Sequence, residues 1–210
     1  MSRGRSALLN MREAPIWLGV LLLAGVALGN GCRTPERARP AVPSEEIREL
    51  VQRSGEARSL FEKALSLEGQ PAEQERLYRE AVETDASLGE AHNNLGVLHL
   101  AHERYSKAIA SLRRAVRRLP GRAEPRFNLG LAYEMVGRRR SAAEQYRAAV
   151  ELAPEEADYL ESLARVRLKL GFPAEETQKL LERALEVETR PAHVEWVQEQ
   201  LRALGSHAAL

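Results

Sequence analysis

Cysteine and aromatic residues are scarce in this sequence of 210 residues, which contains one Cys and only 5% Phe, Trp and Tyr. A single thiol excludes an internal disulfide framework. The rest of the composition, with 44% hydrophobic and 29% charged residues, suits amphipathic helices better than a β-sandwich or a disordered chain. The net charge of +1 gives no electrostatic reason to expect a nucleic acid as the partner.

Enzyme signatures are also missing. The sequence contains no Gly-rich phosphate loop, no GxSxG and no HExxH. His99, His102 and Glu103 are close in sequence, but a metal site on a single helix would need further ligands from elsewhere, and none is evident. We therefore expect no catalytic site, no metal and no cofactor.

The first 32 residues have the layout of an export signal. Three arginines precede an apolar run over residues 16–28, and small residues follow it, which is the order of a secretory signal peptide. The only cysteine, Cys32, lies where cleavage would expose it, and there it resembles the lipidated cysteine of bacterial lipoproteins. The sequence thus predicts a signal peptide over residues 1–31 and lipidation at Cys32.

Two alternatives to lipidation remain open. Residues 14–32 carry no charge and are nearly long enough to cross a bilayer as a single-span inner-membrane anchor; the protein could also be secreted without an anchor. All three readings place the rest of the chain outside the cytoplasm if the basic end stays inside. The expected location is the bacterial cell envelope, with the chain attached to a membrane through its N-terminus and facing the periplasm. The Pro-rich residues 32–43 would form an extended tether.

Residues in the middle of the chain recur at a constant interval. Four pairs differ by 34 positions: Gly96 and Gly130, Ala108 and Ala142, Ala115 and Ala149, and Pro120 and Pro154. A fixed period of this length is typical of a repeat array, in which each unit packs only against its neighbours.

The recurring residues resemble the tetratricopeptide repeat, a helix–turn–helix unit with the pattern W-x2-L-G-x2-Y, then A-x3-F, then P. The first copy reads His92-x2-Leu95-Gly96-x2-His99 and continues with Ala108-x3-Leu112. The resemblance implies an all-α fold, a right-handed α-solenoid of stacked helix pairs with a C-terminal capping helix. It also places His92 and His99 in aromatic positions of the repeat, where packing explains them better than metal binding.

The glycines and prolines of the pattern can be explained physically. Gly96 and Gly130 would let two helices approach until their backbones nearly touch, so we predict the tightest helix contacts there. Pro120 and Pro154 cannot continue a helix, and they suit the first turn of the next one.

The repeat register divides the folded part of the chain. The predicted units are a degenerate first repeat with a leading helix (44–88), two repeats (89–122 and 123–156), a repeat-like unit (157–190) and a capping helix (191–205). Gly55 leaves open whether the leading helix is continuous or divided. After Gly171 the register shifts by one residue, which predicts a longer turn at Phe172. Gly205 is expected to end the last helix.

In proteins of this family the first helix of each pair lines the concave face. The corresponding peptide-binding groove would be lined by Glu90, Asn93, Asn94, Val97, Glu124, Phe127, Asn128, Leu131, Asp158 and Ser162. Asn94 and Asn128 could hydrogen bond to an extended peptide backbone, or they could simply be polar surface. Because Glu90, Glu124 and Asp158 are acidic and no Lys or Arg forms a cationic clamp, the groove should prefer basic or neutral segments.

Arginines cluster on what would be the opposite side of the array. They are Arg113, Arg114, Arg117 and Arg118, with Arg138, Arg139 and Arg140 at the next turn. Such a cluster is either a solvated face or a contact for anionic lipid head groups.

These expectations combine into a non-enzymatic, membrane-tethered scaffold that binds an extended segment of a partner protein in the bacterial envelope. The layout is similar to that of tetratricopeptide lipoproteins in type IV pilus or secretion-channel assembly, and of adaptors that recruit cell-wall hydrolases. The alternative is a structural protein that forms homo-oligomers, with the acidic groove of one copy against the Arg-rich back of another. An enzyme would need a site that the sequence does not reveal.

Overall fold

A computed structural model describes residues 44–67 and 69–207. The predictions for residues 1–43, namely the signal peptide, lipidation at Cys32 and the tether, lie outside the described residues. Within the described part every regular element is an α-helix. None of these helices has both the length and the apolar character needed to span a membrane.

The helices follow one another with short connections. They are α1 (Ser44–Leu65), α2 (Pro71–Thr84), α3 (Gly89–Ala101), α4 (Tyr105–Arg118), α5 (Ala123–Met135), α6 (Arg139–Leu152), α7 (Ala157–Leu170), α8 (Ala174–Val187) and α9 (Pro191–His207). Helices that follow each other in sequence pack together along the whole array, and α3 also contacts α5. This nearest-neighbour packing is that of a solenoid, so the predicted all-α array of helix pairs is confirmed.

Helix α1 is continuous across Gly55, which settles the question that the sequence left open. The prediction that the turn at Phe172 is one residue longer than in the preceding repeat is confirmed. Gly137 and Gly171 occupy equivalent turns with φ of 74° and 68°, a left-handed conformation that glycine adopts without strain. One residue separates Gly137 from α6, whereas two separate Gly171 from α8.

Two predictions about helix ends are wrong. Pro120 and Pro154 do not open a helix, because α5 begins at Ala123 and α7 at Ala157. Each proline instead follows the C-cap of the preceding helix, where a residue that cannot continue the helix is common. Pro120, for example, comes directly after Leu119, the C-cap of α4.

The second error concerns Gly205, which lies inside α9 rather than at its end. Helix α9 packs Trp196, Val197, Leu201 and Leu204 against the buried core of the last repeat. A single glycine in a helix destabilises it by only about 1 kcal/mol relative to alanine, and we attribute the continuation through Gly205 to this packing.

The glycines of the repeat lie where two helices of one pair cross. A Cβ atom added to Gly96 would lie 2.5 Å from Cγ of Leu112, and one added to Gly130 would lie 2.5 Å from Cε1 of Tyr146. These are the close contacts predicted from the repeat. A third close contact, not predicted from the sequence, lies at Gly89, where an added Cβ would lie 2.5 Å from Cγ of Leu119.

Candidate peptide-binding groove

The candidate groove lies on the face formed by α3, α5 and α7, which we call the groove face. Each of these helices carries an acidic residue of the predicted row in its first turn: Glu90, Glu124 and Asp158. The side chains of Glu124 and Asp158 are 52% and 54% exposed, so these two carboxylates are accessible to a ligand. The two carboxylates have different hydrogen-bond partners.

Glu124 receives a hydrogen bond from Nδ2 of Asn93 at 2.9 Å, and Arg122 lies 3.7 Å away. Asp158 accepts a hydrogen bond of 2.6 Å from the guanidinium of Arg190. The acidic row is therefore balanced by a cation at its α7 end, which the sequence analysis did not anticipate.

An asparagine pair connects α3 to α5. Nδ2 of Asn128 donates to Oδ1 of Asn93 at 3.1 Å, and Asn93 is buried, with 3% exposure. Asn94, which was predicted to match Asn128 in a ladder, instead donates through Nδ2 to the hydroxyl of Tyr78 on α2 at 3.2 Å. The structure thus brings Asn93, Asn128 and Glu124 together. Asn94 bonds to the preceding helix through Nδ2, and its Oδ1 accepts a hydrogen bond of 3.3 Å from Nδ2 of Asn93.

The remaining predicted groove residues supply apolar surface and one hydroxyl. Val97 is 40% exposed, and Phe127 and Leu131 are partly buried. The ring of Phe127 lies against that of Tyr159 with 4.6 Å between centroids, which holds it in place between α5 and α7. Ser162 is buried, so it contributes less to the surface than the sequence suggested.

A charged cluster that was not predicted from the sequence joins α7 to the start of α9. Nδ1 of His193 lies 2.8 Å from Oε2 of Glu161, while Arg190 pairs with both Asp158 and Glu188. Burial raises the pKa of Glu161, whereas the hydrogen bonds from Arg190 hold the pKa of Glu188 well below its usual range. The only sequence signal is the repeat register, which places Glu161 34 residues after Phe127 in a position that is apolar one repeat earlier.

This cluster also contains the one set of possible metal ligands that we find in the described residues. Donor atoms of Asp158, Glu188 and His193 lie within 4.8 Å of one another. The guanidinium of Arg190, however, already bonds to Asp158 and Glu188. A positive side chain therefore neutralises these carboxylates, and the residues fit an internal ion-pair cluster better than a metal site.

A second network of hydrogen bonds and ion pairs connects the pair α5–α6 to α7. The hydroxyl of Tyr146 donates to Glu134 at 3.0 Å, and Lys169 bonds to the same carboxylate at 2.9 Å. Burial acts to raise the pKa of Glu134, but the hydrogen bonds from Lys169 and Tyr146 outweigh it and lower the pKa. Because Lys169 belongs to the next repeat, the network stabilises the stacking between repeats.

His92 and His99 are buried, each with 4% exposure. Burial lowers the pKa of both imidazoles, and Nδ1 of each has no hydrogen-bond partner in the part of the chain that the structure describes. Neither histidine belongs to a group of possible metal ligands within the described residues. Both act as packing residues in the aromatic positions of the repeat.

Comparisons with known proteins agree with this architecture. The sequence matches the tetratricopeptide repeat family over residues 68–123 and 127–192. A comparison with curated protein sequences finds no significant match.

Several solved structures share the fold. The crystal structure of MamA is 21% identical, with a TM-score of 0.58 over 68% of this chain and 84% of MamA. A tetratricopeptide repeat protein from Parabacteroides merdae is 16% identical, with a TM-score of 0.63 over 73% of this chain and 61% of that protein. The first tetratricopeptide repeat domain of Spaghetti (RPAP3), solved with the HSP90 peptide SRMEEVD, is 18% identical, with a TM-score of 0.54 over 56% of this chain and 95% of that domain.

The stacked antiparallel helix pairs define an α-solenoid, a class of fold in which surface along the stack is available to bind other proteins. With the match over more than half of its length, the chain belongs to the tetratricopeptide repeat family. It is accordingly a scaffold for protein–protein interaction.

Proposed function

We propose that this protein is a membrane-tethered scaffold of the bacterial envelope that binds an extended segment of a partner protein on its groove face. One observation carries the proposal. Asn93, Asn128 and Glu124 form a hydrogen-bonded polar row that crosses from α3 to α5. A row held in this way is preorganised, so a peptide backbone that binds to it does not have to order the side chains first.

The row has open hydrogen-bonding capacity. An asparagine amide has two donor hydrogens and an acceptor oxygen with two lone pairs. The described hydrogen bonds of Asn128 use one donor, on Nδ2. Its second hydrogen and its Oδ1 are therefore available to a peptide backbone, which presents one donor and one acceptor per residue.

Charge determines which segments we expect to bind. Glu90 lies on the first turn of α3 and Glu124 on that of α5, while Val97 and Leu131 offer apolar contacts nearby. The related domain of Spaghetti was solved with a peptide that contains three acidic residues, SRMEEVD. A clamp for an acidic tail would use Asn93, Val97, Asp158 and Ser162 in one repeat register, and Ser59, Lys63, Glu124 and Asn128 in the other. Neither set makes a cationic clamp, so we infer a basic or neutral partner segment.

The envelope location rests on the N-terminal sequence, which combines a basic start, an apolar run and Cys32. A tethered scaffold would raise the effective concentration of its partner at the membrane surface.

Mass spectrometry of the mature N-terminus tests the proposed attachment to the membrane. An acylated Cys32 as the first residue supports the lipoprotein, and an intact Met1 with unmodified Cys32 supports a single-span anchor. An unmodified N-terminus beyond Cys32 would contradict membrane attachment.

We propose two settings for such a tethered scaffold: the assembly of pili or secretion channels, or the recruitment of cell-wall hydrolases.

Binding on the groove face can be tested with the purified full-length chain on arrays of extended peptides that differ only in net charge. We expect basic and neutral peptides to bind and acidic peptides to be rejected. Glu124→Lys should shift the preference towards acidic peptides, and Asn128→Ala should weaken all binding by about fivefold or more, as expected for loss of a hydrogen bond of about 1 kcal/mol.

Two control variants have matched chemistry. Glu144→Lys changes an exposed acid on α6, and Gln178→Ala removes an exposed side-chain amide on α8. Both should leave the charge preference unchanged. A preference that ignores Glu124→Lys, or that is lost equally in Glu144→Lys, would exclude the groove face as the binding site.

A further inference from the structure

Helix α1 projects beyond its partner helix and carries an apolar stripe that the described chain leaves uncovered. α1 has 22 residues and α2 has 14. The difference of eight residues corresponds to about 12 Å of helix at 1.5 Å per residue. On the projecting part, Ile47, Leu50 and Val51 are 49%, 62% and 68% exposed. Their spacing of three and four residues puts them on one face.

This stripe continues the face with which α1 already packs. Ala57, Phe61 and Ala64 are the buried residues of α1. Counting back from them in steps of four and three leads to Ser54, Leu50 and Ile47, the pattern of a helix that packs along its whole length. A second helix in line with α2 would therefore complete the packing of α1.

Charges of opposite sign, without ion pairs among the described residues, lie along the edge of the array where α1 begins and α2 and α4 end. Acidic residues occupy the projecting part of α1, and arginines occupy the last turns of α4. These residues are Glu45, Glu46 and Glu49, and Arg114, Arg117 and Arg118, all at least partly exposed. None of the six has an ion pair within the described residues, whereas Arg79 on α2 pairs with Glu75 and Lys179 on α8 pairs with Glu175.

Two adjacent clefts connect the stripe to the arginines. A cleft of about 550 Å³ is lined by Leu50, Val51 and the loop between α2 and α3. A second, of about 540 Å³, is lined by the C-terminal half of α2, by Ala86 of that loop and by Arg114, Arg117 and Arg118. Glu83 and Ala86 belong to both, so the apolar stripe and the arginines form one continuous surface, which we call the α1–α4 surface.

We propose that two copies of this chain associate through their α1–α4 surfaces, with the projecting parts of α1 antiparallel across a two-fold axis near Leu50. Such an interface is isologous, because the same residues are used on both sides. Ile47, Leu50 and Val51 of one copy contact the same residues of the other. The antiparallel direction turns the acidic end of each α1 towards the α2–α3 loop and the arginines of the other copy.

The charges on the α1–α4 surface favour a second copy of this chain as its binding partner. A helix suited to this surface needs an apolar face of the same length and acidic residues at the end that reaches the arginines. Residues 44–54 of the chain itself have both features. The contact uses no residue of the groove face, so it is independent of the proposed function. It also differs from the contact of an acidic groove with an Arg-rich back, because it requires α1.

The interface is short, so we expect a weak dimer that forms with increasing protein concentration. Sedimentation velocity of the full-length chain in density-matched non-ionic detergent measures this directly. We expect monomer and dimer in exchange for the unmodified chain and monomer alone for Ile47→Ser with Leu50→Ser. Raising the salt concentration from about 0.1 M to about 1 M shortens the Debye length from about 10 Å to about 3 Å, and should weaken the dimer.

A charge exchange provides the most specific test. Glu45→Arg, Glu46→Arg and Glu49→Arg together should abolish the dimer, and adding Arg114→Glu, Arg117→Glu and Arg118→Glu to the same chain should restore it. A matched control replaces Arg138, Arg139 and Arg140, which are also exposed, with Glu and should leave the dimer intact. All substituted positions are at the surface, and circular dichroism verifies that each variant is folded.

Crosslinking reports on the geometry. In a Cys32→Ser background, Leu50→Cys should form a disulfide-linked dimer under mild oxidation, whereas Met135→Cys, at a similarly exposed apolar position (58%), should not. A chain that stays monomeric at all concentrations would overturn the proposal. So would a dimer that persists after the α1 substitutions but is lost with Glu124→Lys, because that result would place the contact in the groove.

Discussion

The ring of Tyr146 lies directly on the backbone of Gly130, and a Cβ atom at that glycine would be only 2.5 Å from Cε1 of the ring. Tyr146 is fully buried, so the ring has no free space into which it can move. We therefore expect Gly130→Leu to lower the free energy of unfolding by about 2 kcal/mol or more through overpacking. Chemical denaturation followed by circular dichroism measures the change.

Gly121 is the matched control for this substitution. It lies in the loop between α4 and α5, and an added Cβ would meet nothing within 4 Å. Gly121→Leu should change the stability by less than about 0.5 kcal/mol, as is usual for surface positions. Equal losses at Gly121 and Gly130 would mean that close helix packing is not the reason for the glycine in the repeat.

Gly55 provides a prediction of the opposite sign. It lies in the interior of α1, and a methyl group in place of its hydrogen would find open space, with no described atom within 4 Å of the new Cβ apart from its chain neighbours and the nearby backbone of the same helix. Because glycine in an exposed helix interior is less favourable than alanine, Gly55→Ala should stabilise the chain by about 0.5–1 kcal/mol. Thermal unfolding gives the readout, and a lowered Tm would indicate that α1 bends or opens at Gly55.

The fold could be predicted because the repeat fixes it through local rules. Residue size at Gly96 and Gly130 specifies where helices cross, and the recurrence of these residues specifies the order of the units. The ends of the helices were harder to predict. A proline such as Pro120 is compatible both with the end of one helix and with the start of the next. The sequence alone does not tell these apart, and at Gly205 tertiary packing overrides the local preference for a helix end.

The candidate site could be predicted only in part. The register places Asn128 and Glu124 on the same helix face, but the choice between Asn93 and Asn94 as the partner depends on how α3 is rotated against α5. The ion pair between Arg190 and Asp158 joins residues 32 positions apart. It depends on the path of the loop before α9, which no local pattern in the sequence describes.

Arg190 should hold the start of α9 against α7. Glu188 is buried, with 2% of its side chain exposed, and is paired with Arg190, so removal of the guanidinium leaves a carboxylate without its main partner. We expect Arg190→Ala to lower the Tm and to speed amide hydrogen exchange in α9 more than in α3. Arg202→Ala, which alters another exposed arginine near the end of α9, is the control. Exchange that rises equally along the chain would argue against a local role.

The buried histidines make stability depend on pH. Burial lowers the pKa of His92 and of His99 below the ordinary value of 6.5. The unfolded chain therefore takes up protons at these residues before the folded chain does, and the free energy of unfolding falls as the pH drops below about 6.5. Arg114, Arg117 and Arg118 lower the pKa of His92 further, and Arg104 and Lys107 lower that of His99. A hydrogen bond to the carbonyl of Ala86 raises the pKa of His92, and the carboxylate of Glu75 raises that of His99, but neither outweighs burial.

Other groups act in ways that can be separated from the histidines. Carboxylates with a lowered pKa, such as Glu75 and Asp85, reduce stability only below their unfolded values of about 4. Glu161, whose pKa is raised by burial, acts in the opposite direction, because its protonation favours the folded state as the pH falls. We expect the double variant His92→Phe, His99→Phe to lose most of the decline in Tm between about pH 6.5 and pH 5 and to retain the decline below about pH 4.5. A variant in which the decline above about pH 5 is unchanged would show that other residues are responsible for it.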